Sequence, residues 1–345
     1  MKLRYDADEL LASHPYVETL TAVGRRLHGG LDADGRYQTP RTLNRWRAVE
    51  TWQRQSESRG WPFVEVSPSI LGAEIYPSLE QQEMLLESGF GQILWNALTW
   101  TGITESKAAP LISIPVPDFQ TLVEDDLSDT LTSHLTKGLL AAHGMDEAGD
   151  PATPEIGAHD IMWFMVRDLA LGKDAFPTAP PLPPMFRPVR REMPDIPPEF
   201  EYFIKYMMNV LMLEVRAQVF FDYCRTLLGN PLNFPERRSD ADHASEIVGR
   251  IATDELIHIA YLRVFISELR GFRFHSLSRG LVTGASILDP AWRKMVQWHA
   301  NFENKYADLR REQAESQIRE AAGQCGELVL ARFRALEARP LPLPA

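Results

Sequence analysis

The 345-residue sequence contains only two cysteines, Cys224 and Cys325, and no CxxC pair. This scarcity excludes a disulfide framework and a cysteine-based zinc site, and it favours a reducing compartment. No apolar run is long enough to cross a bilayer, and the N-terminal residues lack the apolar core of a signal peptide. We therefore expect a cytoplasmic protein without a membrane segment.

Positive charge is also scarce: 36 Lys and Arg residues stand against 47 Asp and Glu residues, for a formal net charge of -11. A surface of this sign disfavours binding to phosphate backbones and to anionic lipid. The "GFG" at residues 89–91 lacks the third glycine of a dinucleotide-binding motif and follows no strand. We expect neither nucleic acid nor a bound flavin or nicotinamide.

Strand-like alternation is almost absent, and helical periodicity dominates the chain. With 44% hydrophobic residues, the sequence can bury a large core. The pattern predicts an all-α protein with helical stretches at about 40–60, 78–100, 119–148, 153–172, 198–229, 239–271 and 290–336.

Residues 173–197 are rich in proline and cannot form a helix, because proline lacks an amide donor and clashes with the preceding turn. Four-helix bundles of the ferritin type need one long crossover between their two helical pairs. We interpret the segment as this crossover within a single domain spanning 1–345, with a bundle core at about 78–271. Additional N-terminal helices and a long C-terminal helix, whose apolar stripe could form core or a homodimer surface, complete the expected fold.

The most informative motif is Asp254-Glu255-Leu256-Ile257-His258, because His258 lies on the apolar stripe of its helix and Glu255 lies beside it. Glu214 is likewise embedded in an apolar helix. A buried carboxylate must find a cation, a proton or strong donors. A Glu from one helix and Glu-x-x-His from its partner is the ligand set that each half of a di-iron carboxylate bundle contributes. The alternative is a core histidine bonded to a neighbouring Glu without metal.

An incomplete second copy of this motif lies upstream. Asp146-Glu147 repeats the acidic pair, and His143 lies one turn before Glu147. The histidine expected three residues after Glu147 is missing, because Asp150 stands there and a proline follows it. The sequence therefore predicts a second half-site but does not complete it.

Two alternatives complete this half-site, and the sequence leaves both open. In one, an inserted loop separates Glu147 from its histidine, which is then His159. In the other, Glu155 and His159, one turn apart, replace the missing pair. The candidate metal ligands of this half are thus His143, Glu147, Glu155 and His159.

The remaining carboxylate is expected from the helix that begins near Ser78. Glu87 shares a stripe with Leu94, and the glycines at 89 and 91 would leave space for a ligand beside it. Glu83 lies one turn earlier on nearly the same face. We favour Glu87.

The arrangement resembles the p-aminobenzoate N-oxygenase type within the ferritin-like di-iron carboxylate superfamily. The pattern of that family is a Glu followed by Asp-Glu-x-x-His, occurring twice. The clear match is Glu214 followed by Asp254 to His258, with a somewhat longer gap than the family pattern has, whereas the first copy matches at Asp146-Glu147 and departs at Asp150. The resemblance covers roughly residues 78 to 271.

This resemblance implies an oxidoreductase, a monooxygenase or oxidase, in which two iron ions, or manganese, activate O2 to N-oxygenate or hydroxylate a small organic substrate. Asp146 and Asp254 would support the reaction by accepting hydrogen bonds from ligand histidines. The reaction needs two reducing equivalents, which implies a separate electron donor. A ferroxidase or iron-handling protein of the same fold and a metal-free helical binding protein are the alternatives.

Overall fold

The computed structural model describes residues 2–67, 69, 75–181, 190–322 and 326–337. These residues include ten α-helices, which are formed by apolar residues at helical spacing. The prediction of a predominantly helical fold is confirmed. The helices are α1 Ala7–Leu11, α2 Arg45–Ser58, α3 Leu79–Glu87, α4 Gln92–Ser106, α5 Leu139–Ala148, α6 His159–Leu171, α7 Pro198–Gly229, α8 Arg238–Gly271, α9 Gly284–Ala322 and α10 Gly326–Glu337.

The described residues also contain five short strands, which agrees with the expected scarcity of strands. An antiparallel sheet contains β1 Glu18–Ala22, β2 Arg25–Leu31 and β3 Tyr37–Gln38, and β4 Arg273–Ser276 pairs with β5 Gly280–Thr283. Val23 and Gly24 both have positive φ angles, 50° and 74°, in the two-residue turn between β1 and β2. Paired positive φ angles are typical of the type I′ hairpin turn. These strands are too short for alternation to stand out in the sequence.

Two predicted helices are interrupted in the structure. The stretch that begins near Ser78 is divided into α3 and α4, because Gly89 takes a φ of +82° that ends α3. The helix predicted over 119–148 is α-helical only in α5. Before α5, side chains such as Asp118 and Asp126 accept hydrogen bonds from nearby backbone N–H groups and stabilise turns instead.

The predicted crossover lies between α6 and α7, and its residues 182–189 are outside the described residues. The helix predicted over 290–336 corresponds to α9 and α10, and Cys325 is also outside the described residues. Within the described ranges, no helix combines the length and apolar character that crossing a bilayer demands.

The core consists of two large apolar clusters, one on each side of a polar layer. Helix α7 packs along α8, and α6 packs against both α4 and α8. Going along α7, Leu211 belongs to the first cluster and Phe221 to the second, and Glu214 lies between them. On α8, Ile251 belongs to the second cluster and Leu262 to the first. The polar residues of these helices therefore lie where the two clusters meet.

Candidate metal centre

Seven acidic and imidazole side chains converge in this layer, and they come from five helices. Six of them are buried and one, Glu105, is half-buried. The set, called the seven-residue cluster below, consists of Glu105 on α4, His143 and Glu147 on α5, His159 at the start of α6, Glu214 on α7, and Glu255 and His258 on α8.

Glu147 and Glu255 occupy the centre of the cluster, because each lies between two imidazoles. The Nδ1 atom of His258 is 2.7 Å from Oε2 of Glu255 and 3.0 Å from Oε1 of Glu147. The Nδ1 atom of His159 is 3.0 Å from Oε1 of Glu255 and 3.3 Å from Oε2 of Glu147. Each carboxylate thus directs one oxygen to each histidine.

His143 lies on the α7 side of the cluster. Its Nε2 atom is 3.0 Å from Oε1 of Glu214 and 3.6 Å from Oε1 of Glu147. Its ring stacks on that of His258, with centroids 3.9 Å apart. Its Nδ1 atom is 2.8 Å from the hydroxyl oxygen of Tyr261, so the other ring nitrogen faces the carboxylates.

Glu105 completes the set, and the sequence interpretation missed it. Burial and the neighbouring Glu147 carboxylate, which shares a hydrogen bond with it, raise the pKa of Glu105 well above its usual range. A signal for it was present: Glu105 precedes Glu147 by 42 residues, and Glu214 precedes Glu255 by 41. The spacing of the second copy, applied to the first, points to Glu105.

Two buried aspartates, Asp146 and Asp254, lie next to the cluster, and each contacts one of its histidines. Nε2 of His258 lies 3.1 Å from Oδ2 of Asp146, and Nε2 of His159 lies 3.2 Å from Oδ2 of Asp254. Each aspartate therefore contacts the histidine of the other half. Such contacts fix the orientation of an imidazole and leave its second nitrogen, here Nδ1, directed at the cluster.

The N-terminal region supplies partners for both aspartates. Arg41 and Arg45 donate hydrogen bonds to Asp146, with 2.6 Å between Arg45 Nη2 and Asp146 Oδ2. Burial alone would raise the pKa of Asp146, but the two guanidinium groups hold it well below its usual range.

Asp254 has different partners, both from the N-terminal sheet. The Tyr37 hydroxyl donates to its Oδ2 over 2.8 Å, and His28 Nε2 lies 3.3 Å from the same oxygen. His28 reaches this position because β2 pairs with the loop before α6 through Gly157. No periodic pattern in the sequence links these N-terminal partners to the motif, so their role could not be predicted from it.

Burial and neighbouring charges shift the pKa values of the carboxyl groups in the cluster in opposite directions. Burial and the carboxylates of Glu255 and Glu147 raise the pKa of Glu214 well above its usual range. Burial and Glu147 also act to raise the pKa of Glu255, but His258 and His159 outweigh them and lower it to about 2. Packing four carboxylates together in a buried layer therefore requires protons or cations that neutralise them.

The donor atoms of the cluster form two overlapping groups that can hold metal ions, and His28, His159 and Asp254 form a third group beside it. Of the two overlapping groups, one consists of His143, Glu147, Glu214 and His258, and the other of Glu147, His159 and Glu255, with the donor atoms of each group within 4.8 Å of one another. Glu147 belongs to both groups, and its buried Oε1 atom lies 3.0 Å from Nδ1 of His258. Carboxylate oxygens and imidazole nitrogens suit divalent metals such as iron and manganese.

Two predicted ligands lie outside the cluster, and their assignment is corrected here. Glu87 has a side chain that is 59% exposed and pairs with Arg332 over 2.9 Å, because the helix break at Gly89 leaves α3 packed against α10. Its neighbour Glu83 accepts a hydrogen bond from Asn230. Glu155 is exposed in the loop before α6.

The loop at 149–158 also decides between the two alternatives for the first half-site. It separates Glu147 from His159 along the chain, yet the two side chains meet in the cluster. The structure thus shows the inserted-loop arrangement.

Searches against protein-family models, curated proteins and solved structures found no match to this chain.

Proposed function

We propose that the protein is a non-haem di-iron oxygenase or oxidase that uses O2 to oxidise a small organic substrate. The observation that carries the proposal is the position of Glu147 and Glu255, each between two imidazoles, with Glu105 next to Glu147 and Glu214 next to His143. Four carboxylates and three histidines form the donor set expected of a site for two divalent ions.

The residues fit two iron ions on chemical grounds. Glu147, Glu255, Glu214 and Glu105 would hold the ions together with His143, His258 and His159. Two ferrous ions bound there would supply electrons for the reduction of O2.

The chain's own residues prepare the site for this chemistry. Asp146 and Asp254 fix the two histidine rings through Nε2, so that Nδ1 faces the carboxylates. The apolar clusters on the two sides of the layer leave six of the seven cluster residues buried, and burial strengthens the electrostatic interactions among them. A separate electron donor would restore the ferrous state.

The packing supports a ferritin-like arrangement in which α7 and α8 form one helical pair. The other pair is α4 with the combined α5 and α6, which the loop at 149–158 interrupts. In this interpretation each pair supplies one Glu, one Asp-Glu and one histidine, and His143 is an addition.

Metal analysis of matched variants tests the proposal. We expect the wild type to bind about two iron ions per chain, by the ligand count of such sites. Glu255→Ala and Glu105→Gln should bind less iron, whereas Glu87→Gln, which removes a surface carboxylate from α3, should match the wild type. Iron binding that is unaffected by Glu255→Ala would overturn the assignment.

The reaction with O2 separates the proposed function from its alternative. The reduced, iron-loaded protein should consume O2 and return to the ferrous state when a chemical reductant is added. If it instead oxidises added iron in large excess over the chain and retains the product, the protein is a ferroxidase or iron store. If it binds no iron, it is not a di-iron enzyme.

A further inference from the structure

A cavity of about 270 Å³ lies beneath the loop that joins α5 to α6. Its lining residues neighbour three of the cluster residues along the chain. Ala148 follows Glu147, Ala158 precedes His159, and Ala109 lies one turn after Glu105. The charges of Glu147 and His159 act on the carboxyl group of Asp160, a residue of the lining, so the cavity lies near the cluster, whose half-buried member is Glu105.

The cavity combines apolar walls with a small number of charged groups. Ile112, Ile156 and Ile161 contribute to the walls. Asp160, directly after His159, also lines the cavity, and its Oδ1 accepts a hydrogen bond from the Ile161 backbone N–H. Among the described residues, Asp160 has no ion-pair partner, so its carboxylate remains available to a ligand.

Arg25 lines the same cavity, but its guanidinium group is already engaged. Its Nε and Nη2 atoms donate to the backbone oxygens of Glu155 and Pro154, over 3.2 and 2.8 Å, and hold the loop in place. Asp150 is a second carboxylate in the lining. With one cation against two carboxylates, the formal charge of the lining is -1, which favours a positively charged ligand.

We propose that this cavity is the substrate pocket and that it selects organic ammonium ions with a compact apolar body, through Asp160. The inference rests on the proposed function for the identity of the ligand as the substrate. An ammonium group satisfies the unpaired carboxylate by a charge-assisted hydrogen bond, and the apolar body contacts the isoleucine walls. A neutral alcohol of the same shape gains only the contacts with the isoleucine walls.

Binding of benzylamine, measured by calorimetry on the full chain at pH 7, tests the inference against its neutral isostere, benzyl alcohol. We expect benzylamine to bind at least tenfold more tightly, a difference of about 1.4 kcal/mol. Asp160→Asn should reduce the preference to about twofold or less. Glu155→Gln is the matched control, because it removes a carboxylate from the same loop that does not line the cavity.

A second variant keeps the test decisive if Asp160→Asn does not fold. Ala109→Phe adds bulk at the exposed rim of the cavity and should abolish binding of both probes. Equal affinity for the two probes in the wild type, or a preference that survives Asp160→Asn, would overturn the inference.

The iron content of the same preparations separates this inference from the proposed function. Iron binding without an amine preference refutes the pocket assignment alone. An Asp160-dependent preference in a chain that binds no iron refutes the di-iron proposal and the identification of the ligand as its substrate, while the ammonium site stands.

Discussion

We predict that Asp146→Asn and Asp254→Asn lower the free energy of unfolding by different amounts, although the two aspartates occupy equivalent positions in the sequence motif. Asp146 and Asp254 both precede a cluster glutamate, and both accept a hydrogen bond from a histidine. Their remaining partners differ. Asp146 faces two guanidinium groups, whereas Asp254 faces the Tyr37 hydroxyl and the His28 ring.

The difference in partners sets the expected magnitudes. Arg45 is only 1% exposed, and its Nε and Nη1 atoms already lack hydrogen-bond partners. Asp146→Asn therefore leaves a buried cation without its counter-charge, which costs roughly 3–5 kcal/mol of unfolding free energy. Asp254→Asn weakens the contacts with the Tyr37 hydroxyl and the His28 ring, which can both be neutral, at a cost of roughly 1–3 kcal/mol of unfolding free energy.

Denaturant unfolding with a constant m-value measures the two losses, and iron titration of the folded proteins measures the effect on the cluster. Both variants should weaken iron binding by a similar factor, roughly 10–100-fold, because each frees one histidine ring. Equal losses of stability, or a larger loss in Asp254→Asn, would refute the view that the arginines make Asp146 a structural residue as well.

Two further changes test the fold away from the cluster. Burial raises the pKa of Glu268 to about 7, although Leu131 N, Thr132 N and the Thr132 hydroxyl donate to its carboxyl group. Because the folded-state pKa is above the unfolded one, the wild type should lose up to about 3 kcal/mol between pH 4.5 and 7 relative to Glu268→Gln, and parallel stability–pH curves of the two proteins would contradict this. A Cβ on Gly284 would lie 1.8 Å from the Leu269 carbonyl oxygen, so Gly284→Ala should cost at least about 1–3 kcal/mol of unfolding free energy. The control Gly249→Ala, where the nearest atom is 3.6 Å away inside α8, should gain up to about 1 kcal/mol in the same denaturant assay.

The second half of the protein was the easier half to predict from sequence. Helices α7 and α8 are long and lie between proline and glycine residues, so their bounds and the apolar surroundings of Glu214, Glu255 and His258 follow from local pattern. The sequence within a few turns is enough to predict such helices. The structure brings the three side chains to one place.

The first half was harder, because its site depends on contacts between distant segments. The break at Gly89 rotates Glu87 away from the core and leaves Glu105, in the next helix, to face Glu147. The loop at 149–158 hides the relation between Glu147 and His159 from any spacing rule. Neither interruption changes the hydrophobic periodicity enough to reveal its effect on direction.

The N-terminal region has a consequence for how this centre can be adjusted. His28, Tyr37, Arg41 and Arg45 contribute no donor to the seven-residue cluster, yet they contact the two aspartates that position its histidines. Substitutions between His28 and Arg45 can therefore alter the orientation and basicity of His159 and His258 while all seven side chains of the cluster stay unchanged. Evolution or protein engineering can adjust the cluster from this region.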